Sequence, residues 1–139
     1  MKCVLCNHNK PIEFLNLGQQ PLANKYPTGE AEFKKEDFFP LAVFFCPQCK
    51  NVQLGTIVSR ERMFEDYYYL SSVNPGLVRH FEQFAKKISG SDFVVDIGSN
   101  DGILLKPLKE LNVRAIGVDP SENVSKIAND QGLTTLVSF

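Results

Sequence analysis

Two cysteine pairs with the same short spacing are the first residues in this sequence that could do chemistry. Cys3 and Cys6 form one C-x-x-C pair, Cys46 and Cys49 form the other, and residues 7–45 separate them. Two residues between cysteines let one tight turn direct both sulfurs at a single point, so two such turns can build a tetrahedral thiolate site. We therefore predict a structural Zn²⁺ site with these four cysteines as ligands, closed to any further ligand.

The same cysteines could instead form two disulfides or two redox-active pairs. Persistent disulfides are rare in cytosolic proteins, and a thioredoxin-like pair requires a β-α-β context that neither pair has. Within the zinc interpretation His8 is a further candidate ligand, although with four cysteines present a solvated loop residue is the simpler interpretation. Asn7 and Asn51 follow the two pairs and suit the left-handed conformation that closes such turns.

A second chemically suggestive group lies between a predicted strand and a predicted helix. The apolar run at 93–97 is typical of a buried parallel strand, and the loop at 98–102 follows it. Such a loop presents backbone N–H groups and the positive end of a helix dipole to a ligand. It is not a dinucleotide motif, because Asn100 replaces the middle glycine and the Asp101 carboxylate would repel a pyrophosphate. The loop therefore favours a ligand with a cationic amino acid part, such as S-adenosylmethionine.

Asp119 strengthens the cofactor interpretation of this loop. It ends the next predicted strand, about 20 residues after Gly98, where an acidic residue typically accepts hydrogen bonds from ribose hydroxyls. Each carboxylate also has a plainer interpretation: Asp101 as a helix N-cap, and Asp119 as part of the turn before Pro120. The presence of both carboxylates at these positions, together with two correctly placed strands, favours the cofactor interpretation.

The elements that must position the cysteines are short strands and turns over residues 1–58. Strands are predicted at 13–17, 41–45 and 52–54 because these runs are rich in apolar residues bounded by turn formers. The polar stretch at 18–37 carries prolines and glycines and is predicted to be a long loop. This arrangement indicates a zinc-ribbon-like module.

A helical linker is predicted over residues 59–90. Ser59 is expected to begin a short helix. A second helix is expected to start with Asn74 as its N-cap and Pro75 in its first turn, and to end before Gly90. This helix has an apolar face at helical spacing and is expected to pack on the segment that follows it.

Residues 91–139 alternate between strand and helix patterns. The series is a strand at 93–97, a helix at 103–111 that Pro107 is expected to kink, a strand at 115–118, a helix capped by Ser121 and a strand starting at Leu136. This order predicts an α/β fold, the first half of a doubly wound, Rossmann-like parallel sheet.

Five segments, in the same order, resemble the S-adenosylmethionine-dependent C-methyltransferases of deoxysugar biosynthesis, which open with a zinc-binding domain carrying two C-x-x-C pairs. The segments are L-G-Q-Q-P-L-A-N at 17–24, N-V-Q-L at 51–54, Y-Y-Y-L-S-S at 67–72, His80-Phe81, and D-I-G-S-N-D-G at 96–102. The resemblance covers essentially the whole chain. It implies a zinc-ribbon-like N-terminal module followed by the first half of a Rossmann-like methyltransferase sheet.

The resemblance also implies an activity: methyl transfer to the carbon next to the ketone of a nucleotide-linked 4-keto-deoxysugar. The ketone acidifies the adjacent C–H, a general base removes the proton, and the enolate attacks the sulfonium methyl group. Members of the family are much longer, and their proposed base lies downstream, so the catalytic residue is unknown here. The 139-residue chain is expected to be inactive without the C-terminal half of the enzyme.

The same resemblance implies roles for individual residues. The cofactor contacts would be Gly98, Asn100, Asp101, Gly102 and Asp119. Tyr69 and Ser72 would approach the cofactor from the linker, and Tyr67 would line the sugar pocket. The plainer interpretation is a packed aromatic cluster for the tyrosines and simple packing for His80.

The charge composition of the chain argues against nucleic acid as a binding partner. The chain has 15 Lys and Arg against 16 Asp and Glu, a formal net charge of −1, whereas nucleic-acid-binding domains are usually strongly basic. The N-terminus lacks the apolar stretch of a signal peptide, and no apolar run is long enough to span a membrane, so a soluble cytoplasmic protein is expected. Two other functions stay open: methyl transfer to another acceptor, and a non-catalytic zinc-ribbon interaction module.

Overall fold

The computed structural model describes residues 1–64 and 67–139. The chain forms two compact units, Met1–Arg60 and Glu61–Phe139. The finer division into segments 1–58, 59–90 and 91–139 stays a prediction. Within the described ranges, no helix has both the length and the apolar character that a membrane crossing requires.

The first unit is built on a three-stranded antiparallel sheet. Its strands are β1 (Ile12–Pro21), β2 (Phe38–Phe45) and β3 (Val52–Leu54), and they lie in the order β1-β2-β3. A short helix, α1 (Glu30–Phe33), lies between β1 and β2 in the sequence. The three predicted strands are therefore present in the predicted order.

The first strand is longer than predicted. It continues past residue 17 to Pro21, which pairs with Phe38 of β2, so the prediction of a loop starting at Gly18 was wrong. The register shifts between Asn16 and Gln19, the stretch that contains Gly18, and Gly18 has a positive φ of 71°. A bulge of this kind bends a strand locally and lets pairing resume beyond it.

Few apolar side chains are buried in the first unit. Among its described residues, the buried hydrophobic ones are Cys3, Ala42 and Cys46, and every residue of β1 is exposed. Units with so small an apolar core usually need a disulfide or a metal to fold. The stability of this unit therefore depends on what the cysteines do.

The second unit contains helices and a parallel sheet. Its first helix, α2 (Arg60–Phe64), starts at the last residue of the first unit. The elements that follow are a 3-10 turn (Ser71–Val73), α3 (Pro75–Lys87), β4 (Val94–Ile97), α4 (Leu105–Glu110), β5 (Ala115–Asp119), α5 (Glu122–Asp130) and β6 (Thr135–Val137). The strands pair in the order β4-β5-β6, all parallel. The predicted strand-helix-strand-helix-strand series, and with it the α/β fold class, is confirmed.

Helix α3 begins as the sequence predicts. The side-chain oxygen of Asn74 accepts hydrogen bonds from the backbone N–H groups of Gly76 at 2.9 Å and Leu77 at 3.2 Å, and Pro75 is the first helical residue. Ala85 of this helix is fully buried in a core cluster with side chains of α4. The helix is thus anchored by its N-cap and by its apolar face.

The kink predicted at Pro107 was wrong because the helix starts later than expected. Helix α4 begins at Leu105, after turns that follow Gly102. Pro107 therefore lies in the first turn, where backbone N–H groups have no partner within the helix and a proline removes no helical hydrogen bond.

The parallel sheet is covered on one face only in the part of the chain that the structure describes. Val94 and Ala115 pack against the buried clusters of the helices. Alternate side chains of the same strands face the other way, and there Val95, Ile97 and Leu136 are 52%, 82% and 53% exposed. The prediction of a fully buried strand at 93–97 was therefore wrong for this open face.

A substitution on the covered face tests the close packing of the sheet and α4. A Cβ atom on Gly117 would meet the Oγ of Ser99 and lie 2.8 Å from Cδ1 of Leu105. We expect Gly117→Ala to lower the free energy of unfolding by about 1–3 kcal/mol, as overpacking does, measured by denaturant unfolding with circular dichroism. Gly90→Ala is the control, because a Cβ there meets nothing within 4 Å. Equal unfolding midpoints for both variants would contradict this packing.

Candidate functional site

The four cysteine sulfurs of the first unit lie together. All four Sγ atoms are within 4.8 Å of one another, with 3.5 Å between Cys3 and Cys49 and 3.6 Å between Cys6 and Cys46. A tetrahedron with Zn–S distances of about 2.3 Å places its sulfurs about 3.8 Å apart. The donor set and its spacing therefore fit a four-thiolate Zn²⁺ site.

Disulfides and a histidine ligand fit this cluster less well. The sulfur separations exceed the disulfide bond length of about 2.05 Å, and all four cysteines are free thiols. The cluster contains the four cysteines and not His8, whose backbone carbonyl instead accepts a hydrogen bond from the Cys3 N–H at 2.9 Å.

The two cysteine turns have the same backbone design. In the first, the N–H of Asn7 donates to the carbonyl of Cys3 at 3.0 Å, and in the second the N–H of Lys50 donates to Cys46 at 2.9 Å. Asn7 and Lys50 have positive φ angles of 59° and 65°. The residue with the left-handed backbone conformation in the second turn is therefore Lys50. The sequence had suggested Asn51, which was wrong.

The thiol pKa values in this cluster diverge. Hydrogen bonding of the sulfur by the backbone of Cys6 lowers the pKa of Cys3 to about 6 against the opposing effect of burial. The pKa of Cys6 is raised to about 12, because burial and the other three thiols outweigh the backbone hydrogen bond from His8. The pKa of Cys49 is raised as well, so Cys6 and Cys49 resist ionisation, and a nearby cation would favour their thiolate forms.

In the second unit, the loop after β4 has the backbone of a ligand-binding turn. Gly98, Asn100 and Gly102 all have positive φ angles, of 79°, 49° and 82°. The carboxylate of Asp119 accepts hydrogen bonds from the backbone N–H of Asn100 at 2.8 Å and of Ser121 at 2.9 Å. Asp119 therefore forms the turn that its plainer interpretation predicts, and it also holds the loop against the end of β5.

The side chains of the loop bind a segment that precedes α3. Asn100 accepts from the backbone N–H of Ser71 at 2.9 Å and donates to the carbonyl of Tyr69 at 3.0 Å. One oxygen of Asp101 accepts from the N–H of Ser72 at 3.1 Å and from its hydroxyl at 2.5 Å. Tyr69 and Ser72 thus lie against the loop through their backbone and hydroxyl groups, and their approach to a cofactor stays a prediction.

One carboxylate oxygen of Asp101 is buried without a hydrogen-bond partner among the described residues. The residue is only 3% exposed, and the oxygen concerned is Oδ1. Asp101 lines a cavity of about 390 Å³ together with Ser72 and Gly102. It is not the N-cap of α4, which begins at Leu105. A buried, unsatisfied carboxylate oxygen fits a ligand that carries a donor or a positive charge.

Two polar residues at the start of α5 were missed as site residues. Ser121 was predicted to cap α5, but its side chain makes no cap hydrogen bond and donates to the carbonyl of Phe64. Asn123 donates to the carbonyl of Tyr67 at 2.8 Å and accepts from its N–H at 3.3 Å. The available signal was their place just after a parallel strand, at the edge of the sheet where ligands bind.

Aromatic side chains lie next to the hydrogen bonds made by Asn123 and Ser121. The ring of Tyr67 makes edge-on contacts with Phe64 at 5.7 Å and with Tyr69 at 6.4 Å between centroids. His80 is exposed and contacts the ring of Phe81 at 5.4 Å. The rings of Tyr67, Phe64 and Tyr69 thus touch edge to face, although Tyr68 and Tyr69 are exposed, and the packed aromatic cluster stays a prediction. The part of the predicted first linker helix at residues 65–66 lies outside the described residues.

Asp96 lies beside this edge, on β4. Burial, together with the negative charge of Asp119, raises the pKa of its carboxyl group above the ordinary value of 3.8. The folded protein therefore binds this proton more tightly than the unfolded chain does, so stability falls as the pH rises from below 3.8 through the raised pKa.

We expect Asp96→Asn to be more stable than the wild type at pH 7, because it removes the cost of a buried charge. The difference in melting temperature should close as the pH is lowered below 3.8. The control is Asp92→Asn, at an exposed position, which should follow the wild type. A variant less stable than the wild type at pH 7 would show that the Asp96 carboxylate makes a stabilising contact.

Comparison with known proteins agrees with this geometry. Residues 3–64 match a protein family described as "Putative zinc binding domain". The C-methyltransferase NovU of Streptomyces niveus is 28% identical over 141 residues, which cover 97% of this chain and 34% of that protein. This chain thus spans about a third of the length of that relative.

A solved structure also resembles part of the chain. The crystal structure of a SAM dependent methyltransferase from Archaeoglobus fulgidus is 25% identical, covering 45% of this chain and 28% of that one, with a TM-score of 0.42. By these comparisons, residues 3–64 match the zinc-binding family and nearly the whole chain is homologous to a C-methyltransferase.

Proposed function

We propose that this chain is the N-terminal part of an S-adenosylmethionine-dependent C-methyltransferase. The observation that carries the proposal is the loop after β4, closed by Asp119 at the end of the neighbouring strand, in a chain homologous to a C-methyltransferase. A non-catalytic interaction module would have no use for a buried carboxylate oxygen left unsatisfied beside such a loop.

The cysteine cluster is proposed to hold one structural Zn²⁺. The ligands are Cys3, Cys6, Cys46 and Cys49, whose sulfurs already lie within 4.8 Å of one another. Because four thiolates leave no open coordination position, the metal would stabilise the first unit and take no part in the reaction. Its binding energy would replace the apolar core that this unit lacks.

The loop after β4 is proposed to hold the cofactor. The residues that would bind it are Gly98, Asn100, Asp101, Gly102 and Asp119, with Tyr69 and Ser72 beside them. When bound, S-adenosylmethionine supplies an electrophilic methyl group on its sulfonium. The free oxygen of Asp101 suits the ammonium group of the cofactor, and the remaining lone pairs of Asp119 suit ribose hydroxyls.

The proposed acceptor is a nucleotide-linked 4-keto-deoxysugar, as the family resemblance implies. Within this chain, Tyr67 is the candidate to line the sugar pocket, and no residue is assigned as the base. The open face of the sheet, with Ile97 82% exposed, supports a requirement for further polypeptide, because parallel sheets are normally covered on both faces. We therefore expect no methyl transfer by the 139-residue chain alone. For the proposed enzyme of which this chain would be a part, we infer that the reaction takes place in the cytoplasm.

Metal analysis tests the zinc proposal. Protein purified without chelators should contain one zinc per chain, and Cys46→Ser should lose most of it, because one of four ligands is gone. His8→Ala is the control and should keep its zinc, since the side chain of His8 is not part of the cysteine cluster. Chelation should also unfold residues 1–58, visible as loss of their dispersed NMR signals. A metal content near zero in the wild type would refute the zinc site.

Titration with S-adenosylmethionine tests the cofactor proposal. In ¹⁵N-labelled protein of 15.6 kDa, the amide signals of residues 98–102 should shift, and Asp119→Ala should abolish these shifts because it releases the Asn100 N–H. Asp130→Asn, at the exposed end of α5, is the control and should respond like the wild type. Absence of any shift at saturating S-adenosylmethionine would favour the non-catalytic interaction module. In a separate activity assay, turnover of labelled S-adenosylmethionine by this chain alone would overturn the requirement for further polypeptide.

A further inference from the structure

The segment at 67–72, here called the aromatic strap, is bound at both ends by side chains of other elements. Asn123 binds both backbone groups of Tyr67. At the other end, Asn100 and Asp101 bind the backbone of residues 69–72. Backbone N–H and C=O groups must be satisfied somewhere, and in this strap amide and carboxylate side chains do what a neighbouring strand would do.

The two ends of the strap are held by different parts of the unit. Asn100 and Asp101 belong to the loop after β4, whereas Asn123 belongs to the first turn of α5. The strap therefore connects the loop to the helix that follows Asp119. A displacement at Tyr67 would be transmitted along the strap to the loop, because the contacts at the two ends are only a few residues apart.

A second asparagine of α5 uses the same hydrogen-bonding pattern for a different purpose. Asn129 donates to the carbonyl of Thr135 at 3.0 Å and accepts from its N–H at 2.9 Å. Thr135 begins β6, so Asn129 fixes the return of the chain to the sheet. Asn129 and Asn123 thus make equivalent pairs of bonds from one helix, and only Asn123 reaches the strap.

We propose that Asn123 is a positioning residue for the cofactor site: by binding the backbone of Tyr67 it holds the aromatic strap, and through the strap it holds Asn100 and Asp101 in the loop. This proposal rests on the proposed cofactor function. Asn123 acts through the strap, because its bonds go to Tyr67 and not to the loop. Its amide is suited to this role because it can donate and accept at the same residue.

Tyrosine fluorescence reports on the strap directly. The protein has four tyrosines and no tryptophan, and Tyr67, Tyr68 and Tyr69 all belong to the strap. We expect Asn123→Leu and Asn123→Asp to increase the quenching of tyrosine emission by acrylamide. The aspartate variant keeps the size of the side chain but cannot donate to the Tyr67 carbonyl, so it covers the case in which the leucine variant fails to fold. Asn129→Leu and Asn129→Asp are the matched controls and should show wild-type quenching.

Cofactor affinity provides the second measurement. NMR titration with S-adenosylmethionine should give a dissociation constant about tenfold higher for the Asn123 variants, the factor expected when hydrogen bonds that hold a site are lost. The Asn129 variants should bind like the wild type, even if circular dichroism shows that all the variants lose similar stability. A general loss of stability would affect both asparagines alike, so the difference between them isolates positioning.

Each other result overturns a defined part of this inference. Wild-type quenching in the Asn123 variants would show that Asn123 does not hold the strap. Increased quenching with unchanged affinity would show that the strap is held but does not position the cofactor site. Absence of binding by the wild type would refute the proposed cofactor function itself, while the quenching measurement would still decide whether Asn123 holds the strap.

Discussion

The carboxylate of Asp119 is the contact on which the edge of the parallel sheet depends. It accepts one hydrogen bond from the N–H of Asn100, after β4, and one from the N–H of Ser121, before α5. Both donors then use their side chains on the segment before α3: Asn100 on residues 69–71 and Ser121 on the carbonyl of Phe64. A single buried acid thus sets the position of the loop, the start of α5 and the aromatic strap together.

This arrangement concentrates negative charge in a small region. Asp101 and Asp119 are 3% and 6% exposed, and Asp96 lies close enough for Asp119 to raise its pKa. Buried carboxylates that are not fully paired cost stability, and such costs are typical of binding and catalytic sites. Hydrogen bonds from backbone N–H groups stabilise the Asp119 carboxylate, and those from Ser72 stabilise one oxygen of Asp101. Among the hydrogen bonds of the described residues, none stabilises the charge of Asp96. A ligand that carries positive charge would relieve this repulsion.

Local signals in the sequence predicted the elements well, and contacts distant in sequence explain what it missed. The spacing of the cysteines predicted a cluster, and Asn74 with Pro75 predicted the start of α3, because each signal acts within a few residues. Ser121 lies where the sequence predicts a helix cap, but its hydroxyl group donates a hydrogen bond to the carbonyl of Phe64, which is distant in the sequence. Periodicity likewise could not tell that Val95 and Ile97 face an uncovered side, since a strand buried on both faces and one buried on a single face can share the same apolar run.

The two units achieve stability by different physical means, and this follows from where their apolar residues lie. The second unit has a core of leucines, valines and alanines between its helices and sheet. The first unit exposes Phe14, Leu17 and Val52 and buries chiefly two cysteines, so most of its sheet gains little from the hydrophobic effect. Polar backbone pairing alone contributes little net free energy. A metal held by all four sulfurs would supply the missing free energy where the turn at Cys3–Cys6 meets the turn between β2 and β3.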